Sequence, residues 1–160
     1  MAELREVAEA IGCHAVATYI QSGNLVVESP RSPRELETAL EQAIALRFGF
    51  PVEVIVRSAA QWQKYAASSP FARAEADRPA RLLLGLSKRS LAPGAAAALR
   101  AQAKGGECIE ARADALYIDY CSGVGVSKLT PVVLDRAAGS TVTARNWRTV
   151  QKLAEMCRAR

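Results

Sequence analysis

Hydrophobic positions along the chain switch between a helical recurrence and short β-prone runs, and the switches mark out its elements. Leu4, Val7, Ala8 and Ile11 repeat at helical spacing until Gly12, which predicts an amphipathic helix. His14 to Ile20 and Leu25 to Glu28 are β-prone runs joined by Gln21-Ser22-Gly23-Asn24, the pattern of a hairpin. Ser32-Pro33-Arg34-Glu35 then opens a helix: Ser32 can cap, Pro33 loses no bond at the first position, and Glu35 can close a capping box. Its apolar stripe is Leu36, Leu40, Ile44 and Phe48, and Gly49 supplies a left-handed exit. Val52 to Val56 reads as a strand, and Ser58-Ala59-Ala60-Gln61 starts another capped helix.

After a polar stretch with Ser68-Ser69-Pro70 and the run Arg73 to Arg78, a second set of elements follows. A strand is expected over Arg81 to Leu86, a helix from about Pro93 to Ala103, and strands over Glu107 to Arg112 and Leu116 to Tyr120 around a turn at Ala113-Asp114. A helix around Ser127 to Ala137, a strand over Ser140 to Thr143 and a helix from Asn146 to about Cys157 complete the chain. The last helix would bury Trp147, Val150, Leu153, Ala154 and Cys157 on one face.

The order β-α-β-β-α-β in the second half is the ferredoxin-like one. The first half repeats it without an opening strand. The expected fold class is therefore α+β: two ferredoxin-like βαββαβ units, the first lacking its opening strand, plus a C-terminal helix. The corresponding domain division is 1–69, a connector at 70–79, and 80–160. If the halves are repeats, a strand belongs before Met1, and the native coding region is expected to start about 15 to 25 residues upstream.

Charge separates the halves. Residues 1–79 hold 8 Lys and Arg against 10 Asp and Glu, a net −2, whereas 80–160 hold 13 against 6, a net +7. The basic second half suggests an anionic partner, and a basic surface kept for solubility is the plainer alternative. With 160 residues, half of them hydrophobic, a core needs no staples. No stretch approaches the roughly 20 apolar residues that span a bilayer, and the acidic start Met1-Ala2-Glu3-Leu4-Arg5-Glu6 is unlike a signal peptide, so a cytoplasmic protein without membrane partners is expected.

Cys13, Cys108, Cys121 and Cys157 are irregularly spaced, with no C-x-x-C, and read as reduced core thiols. His14, the single histidine, has no second imidazole to share a metal, and no metal site or cofactor is indicated. No catalytic set appears by spacing. Cys121 beside Ser122-Gly123 reads as an ordinary strand-end thiol.

Three segments combine small, polar and cationic residues where packing does not demand them. In Tyr19 to Asn24, turn geometry accounts for Gly23 and Asn24, while Gln21 and Ser22 are less constrained. In Gly123-Val124-Gly125-Val126-Ser127-Lys128-Leu129-Thr130, glycines at a helix start could admit a phosphate and Lys128 neutralise it, or Ser127 is a plain N-cap; the pattern is no Walker A. In Thr143 to Val150, Asn146 is a natural cap and Trp147 a buried anchor, which leaves Arg145, Arg148 and Lys152 without a packing reason. The candidate ligand-binding residues are Gln21, Ser22, Asn24, Ser127, Lys128, Arg145, Asn146 and Arg148.

Taken in order, Tyr19 to Asn24, Gly125 to Thr130 and Thr143 to Val150 resemble the bacterial family called domain of unknown function 1697. The resemblance covers nearly the whole chain and implies a pair of ferredoxin-like units. It also implies an opening strand and glycine-rich turn of the type Leu-Leu-Arg-Gly-Ile-Asn-Val-Gly-Gly, which this chain lacks. It implies no established activity, cofactor or catalytic residue.

The leading functional expectation is a binding module for an anionic ligand, a phosphorylated small molecule or nucleic acid, carried by the basic second half. Ferredoxin-like sheets bind RNA when exposed aromatics stack bases, but aromatic residues are only 6% of the chain, and Tyr117 and Tyr120 would offer at most one platform. The alternatives are a small-molecule enzyme with its site in the cleft between the halves and a self-associating protein that pairs an open sheet edge in a homo-oligomer.

Overall fold

A computed structural model describes residues 1–21 and 23–159. The fold is α+β, with two small antiparallel sheets. Cα packing divides the chain into two compact units: Met1–Ala59 with the end of the chain from Glu155, and Ala60–Ala154. No helix among the described residues is long and apolar enough to cross a membrane.

Unit 1 begins with α1 (Ala2–Ala10) and a hairpin of β1 (His14–Tyr19) and β2 (Asn24–Glu28). The turn closes as Asn24 Nδ2 donates to Tyr19 O at 3.1 Å, with Gly23 in the left-handed region at φ 73. Helix α2 (Pro33–Phe48) forms as its local signals dictate. Ser32 Oγ accepts from Glu35 N–H, Glu35 reaches back to Ser32 N–H, and Gly49 ends the helix at φ 77. Leu36, Leu40 and Ile44 join Val7, Ala8 and Cys13 in one core, with Phe48 half-buried beside it.

Val52 to Val56 forms no strand. Two carboxylates of α2 take its alternate backbone donors: Val54 N–H donates to Glu41 Oε1 and Val56 N–H to Glu37 Oε1, both at 2.8 Å. Its valines pack on the α1/α2 core, but a ladder needs a neighbouring strand.

Unit 2 opens with α3 (Ala59–Ala67) and continues with α4 (Ala72–Asp77), a short helix inside the stretch expected to be an unstructured connector. Its sheet comprises β3 (Leu82–Ser87), β4 (Cys108–Arg112), β5 (Ala115–Asp119) and β6 (Val142–Asn146), in the order β4-β5-β3-β6 with every pair antiparallel. Helix α5 (Ala95–Gln102) follows β3 and α6 (Pro131–Ala138) follows β5, so the connectivity is β-α-β-β-α-β. Here β6, the strand after the second helix, pairs with β3, the strand before the first. The described residues of unit 1 hold no counterpart of β3, which is why Val52 to Val56 has no ladder.

Two sequence boundaries move. The helix expected from Ser127 starts instead at Pro131, after a single 3₁₀ turn at Val124–Val126, because Pro131 suits a first helical position and Ser127 is engaged elsewhere. Strand β6 runs three residues beyond Thr143, since its pairing with β3 continues to Leu83 opposite Asn146. The cysteines are free, but only Cys13 is buried; Cys108 is exposed, and Cys121 and Cys157 are half-buried.

Both faces of the unit 2 sheet are covered. Leu116, Ile118 and Ile109 face Leu99 of α5 and Leu134 of α6. On the other face, α3 and α7 (Trp147–Arg158) close over Tyr117: its hydroxyl donates to Tyr65 O at 3.0 Å, and its ring lies 6.3 Å from that of Trp147. Trp62 Nε1 ties the two helices together by donating to Val150 O at 3.0 Å.

Candidate anion-binding site

The residues between α4 and β3 line a depression of about 430 Å³ together with Asp77 and Arg148; its lining is Asp77, Arg78, Pro79, Ala80, Arg81 and Arg148. Backbone bonds hold this loop. Trp147 N–H, at the start of α7, donates to Pro79 O at 3.0 Å, and Tyr120 N–H, just past β5, donates to Arg81 O at 2.9 Å.

Each arginine is placed differently. Arg78 is pinned on Asp119 through Nε to Oδ1 at 3.0 Å and Nη2 to Oδ2 at 2.5 Å, a bidentate pair. The side chain of Asp119 is only 3% exposed, so this pair neutralises a carboxylate that would otherwise be buried alone, and it raises the Arg78 pKa further above its ordinary value. Arg81 is exposed and donates through Nη1 to Cys121 O at 2.9 Å. Arg148, the second residue of α7, is exposed, and neither it nor Arg81 has a carboxylate partner among the described residues. The depression thus carries two uncompensated guanidinium groups at the positive end of a twelve-residue helix.

Cys121 lies beside this cluster, its Sγ 3.6 Å from Asp119 Oδ2. Burial and the Asp119 charge both push its thiol pKa up, which keeps it protonated and a poor nucleophile.

Of the residues singled out in the sequence, Arg148 lines the depression, and Asn146 caps the helix that carries it, Oδ1 accepting from Thr149 N–H at 3.0 Å. Arg145 is elsewhere. It stands on β6 opposite Leu84 instead of at a helix start, and its Nη1 donates to Thr143 Oγ1 at 2.6 Å and Ala144 O at 2.9 Å. Its burial lowers its pKa. Ser127 donates to Glu107 Oε1 and accepts from Leu129 N–H at 3.1 Å, so it fastens a loop and caps no helix. That hydroxyl holds the Glu107 carboxyl below the usual range. Lys128 is exposed next to it and does not line the depression. Gln21 and Asn24 belong to the hairpin of unit 1, Gln21 exposed and Asn24 buried by its bond to Tyr19. Ser22 lies outside the described residues.

Arg78 was hidden in the polar run read as a connector, and Arg81 at the start of the strand expected over Arg81 to Leu86. The usable signal was Arg78-Pro79-Ala80-Arg81, two cations three residues apart around a proline at a strand entrance. Neither tyrosine offers a platform on which bases could stack: Tyr117 and Tyr120 are each 1% exposed, between the sheet and its helices.

Residues 1–117 match the family model described as a protein of unknown function, DUF1697, and the chain belongs to that family. Its fold is similar to that of the conserved bacterial protein SP0830 from Streptococcus pneumoniae, with a TM-score of 0.73 at 21% identity over 99% of this chain and 88% of that one. No curated protein is detectably similar to the chain.

Proposed function

We propose that unit 2 is a binding module for a small anionic ligand, seated in the depression between the α4–β3 loop and the start of α7. The observation that carries this reading is the convergence of Arg78, Arg81 and Arg148 on one concavity, two of them without a carboxylate partner. A guanidinium matches carboxylate and phosphate geometry with paired donors, and a helix N-terminus adds to the same field. Nucleic acid is the weaker anion here. The sheet face on which such a fold would stack bases is occupied by α3 and α7, and no aromatic side chain lines the depression.

Trp147 directly precedes Arg148, so its fluorescence serves as the reporter. Orthophosphate and a phosphorylated small molecule should each give a saturable change, weakened in the Arg148→Ala and Arg81→Ala chains. A short single-stranded oligonucleotide should bind only through general charge, with a steep loss between roughly 50 and 200 mM salt. Binding of phosphate that survives both substitutions would overturn the reading.

A further inference from the structure

Resting on the anion-binding reading, we infer that the ligand is a phosphorylated polyol of the sugar-phosphate kind, its phosphate on Arg81 and Arg148 and a hydroxyl on Asp77.

The charge count sets the anionic end. Arg78 is already matched by Asp119, which leaves Arg81 and Arg148 as the uncompensated pair. Two guanidinium groups without a carboxylate partner balance a dianion, and a phosphate monoester carries close to two charges at neutral pH, whereas a simple carboxylate carries one.

The wall that is not cationic sets the rest of the molecule. Asp77 ends α4 on the lining of the same depression, where a carboxylate would repel any second anionic group. Its Oδ2 accepts from Arg73 Nε at 3.2 Å, an exposed pair, and Oδ1 keeps its acceptor capacity. An ionised carboxylate accepts hydrogen bonds and donates none, so the group that meets it must be an O–H or N–H donor. A ligand suited to both walls is anionic at one end and hydroxylated a few ångströms away.

The remaining lining, Pro79 and Ala80, is small and aliphatic. It offers nothing for a nucleobase to stack on, which argues for a polyol over a nucleotide. A volume of about 430 Å³ lies at the lower end of small-molecule sites, roughly 300–1,000 Å³, and suits a body the size of one sugar ring with its phosphate.

The test is calorimetric titration of the full chain with ribose 5-phosphate, orthophosphate, ribose and adenosine monophosphate. Ribose 5-phosphate should bind about tenfold more tightly than orthophosphate, the gain expected of one charge-assisted hydrogen bond, and ribose alone should not bind. Asp77→Asn should shrink that ratio to under about threefold without weakening orthophosphate, because the amide still accepts but lacks the charge that strengthens the hydrogen bond to the hydroxyl and repels the anion. Equal affinity for ribose 5-phosphate and orthophosphate would overturn the ligand class and leave the anion site standing. So would adenosine monophosphate binding much more tightly than ribose 5-phosphate. Failure of every phosphate compound to bind would overturn both readings.

Discussion

Arg78 and Asp119 are 41 residues apart in sequence and share two hydrogen bonds, at 3.0 and 2.5 Å, where the end of β5 meets the residue after α4. The pair separates the arginines of the depression into two roles. Removing Arg78 strands a carboxylate that is 3% exposed, and a buried charge without its partner is strongly destabilising. Arg78→Ala should therefore lower the melting temperature by more than about 5 °C, while Arg148→Ala, an exposed substitution, should stay within about 2 °C of the parent. Differential scanning calorimetry checks both. The opposite ranking would show that Arg78 does not hold β5 to α4.

Tyr117 and Tyr120 carry a pH dependence at the alkaline end. Burial pushes both phenols up to about 12 from an ordinary value of 10.0. A raised pKa in the folded state means that the native protein favours the neutral phenol. Its contribution is fully present below pH 10 and is lost as the pH rises toward 12. An ultraviolet absorbance titration should show the Tyr117 and Tyr120 phenols ionising late, together with loss of structure. Tyr117 and Tyr120 titrating near their ordinary value in a still-folded chain would contradict the burial.

What was legible in the sequence was local. Ser32, Pro33, Glu35 and Gly49 specify α2 within its own length, and the structure forms its capping box and left-handed exit. Asn146 as a cap and Arg148 as a cation without a packing task were legible on the same grounds. What was not legible depends on distant partners. The β-branched run Val52 to Val56 has strand composition, but a ladder needs a neighbour that composition cannot supply. Arg145 was assigned to a helix start because nothing local reveals that β3 extends β6 as far as Asn146. Arg78 passed as connector polarity because the partner that fixes it is Asp119, at the end of β5.

Ser127 and Glu107 should make stability fall in acid. The Ser127 hydroxyl and the Gly105 N–H, at 2.7 Å, both donate to the Glu107 carboxylate and depress its pKa below 4.5. With the folded pKa depressed, the contribution is present above the unfolded value of 4.5 and is lost as the pH falls through the lower, folded one. Ser127→Ala should therefore lower the melting temperature at neutral pH and lose most of that difference in acid. Thermal melts of both chains across this pH range read it directly. A difference that does not vary with pH would assign the loss to the Leu129 N–H bond instead.

Glu37 is the test of how unit 1 keeps Val52 to Val56 in place. Glu37 is 8% exposed, and its carboxylate accepts Val56 N–H at 2.8 Å and lies 3.8 Å from Arg57 Nη1. Glu41, one helical turn along, accepts Val54 N–H in the same way. Side-chain oxygens thus take two alternate donors that a strand would otherwise meet. Glu37→Ala leaves a backbone donor and a half-buried guanidinium without that partner, at a cost of about 2–4 kcal/mol in unfolding free energy. Glu37→Gln keeps an acceptor for Val56 N–H and should cost less than about half as much. Amide hydrogen exchange locates the effect: protection at Val56 should fall in Glu37→Ala and survive in Glu37→Gln. Equal loss in the two variants would mean that the carboxylate charge facing Arg57 holds the segment and the hydrogen bond to Val56 does not.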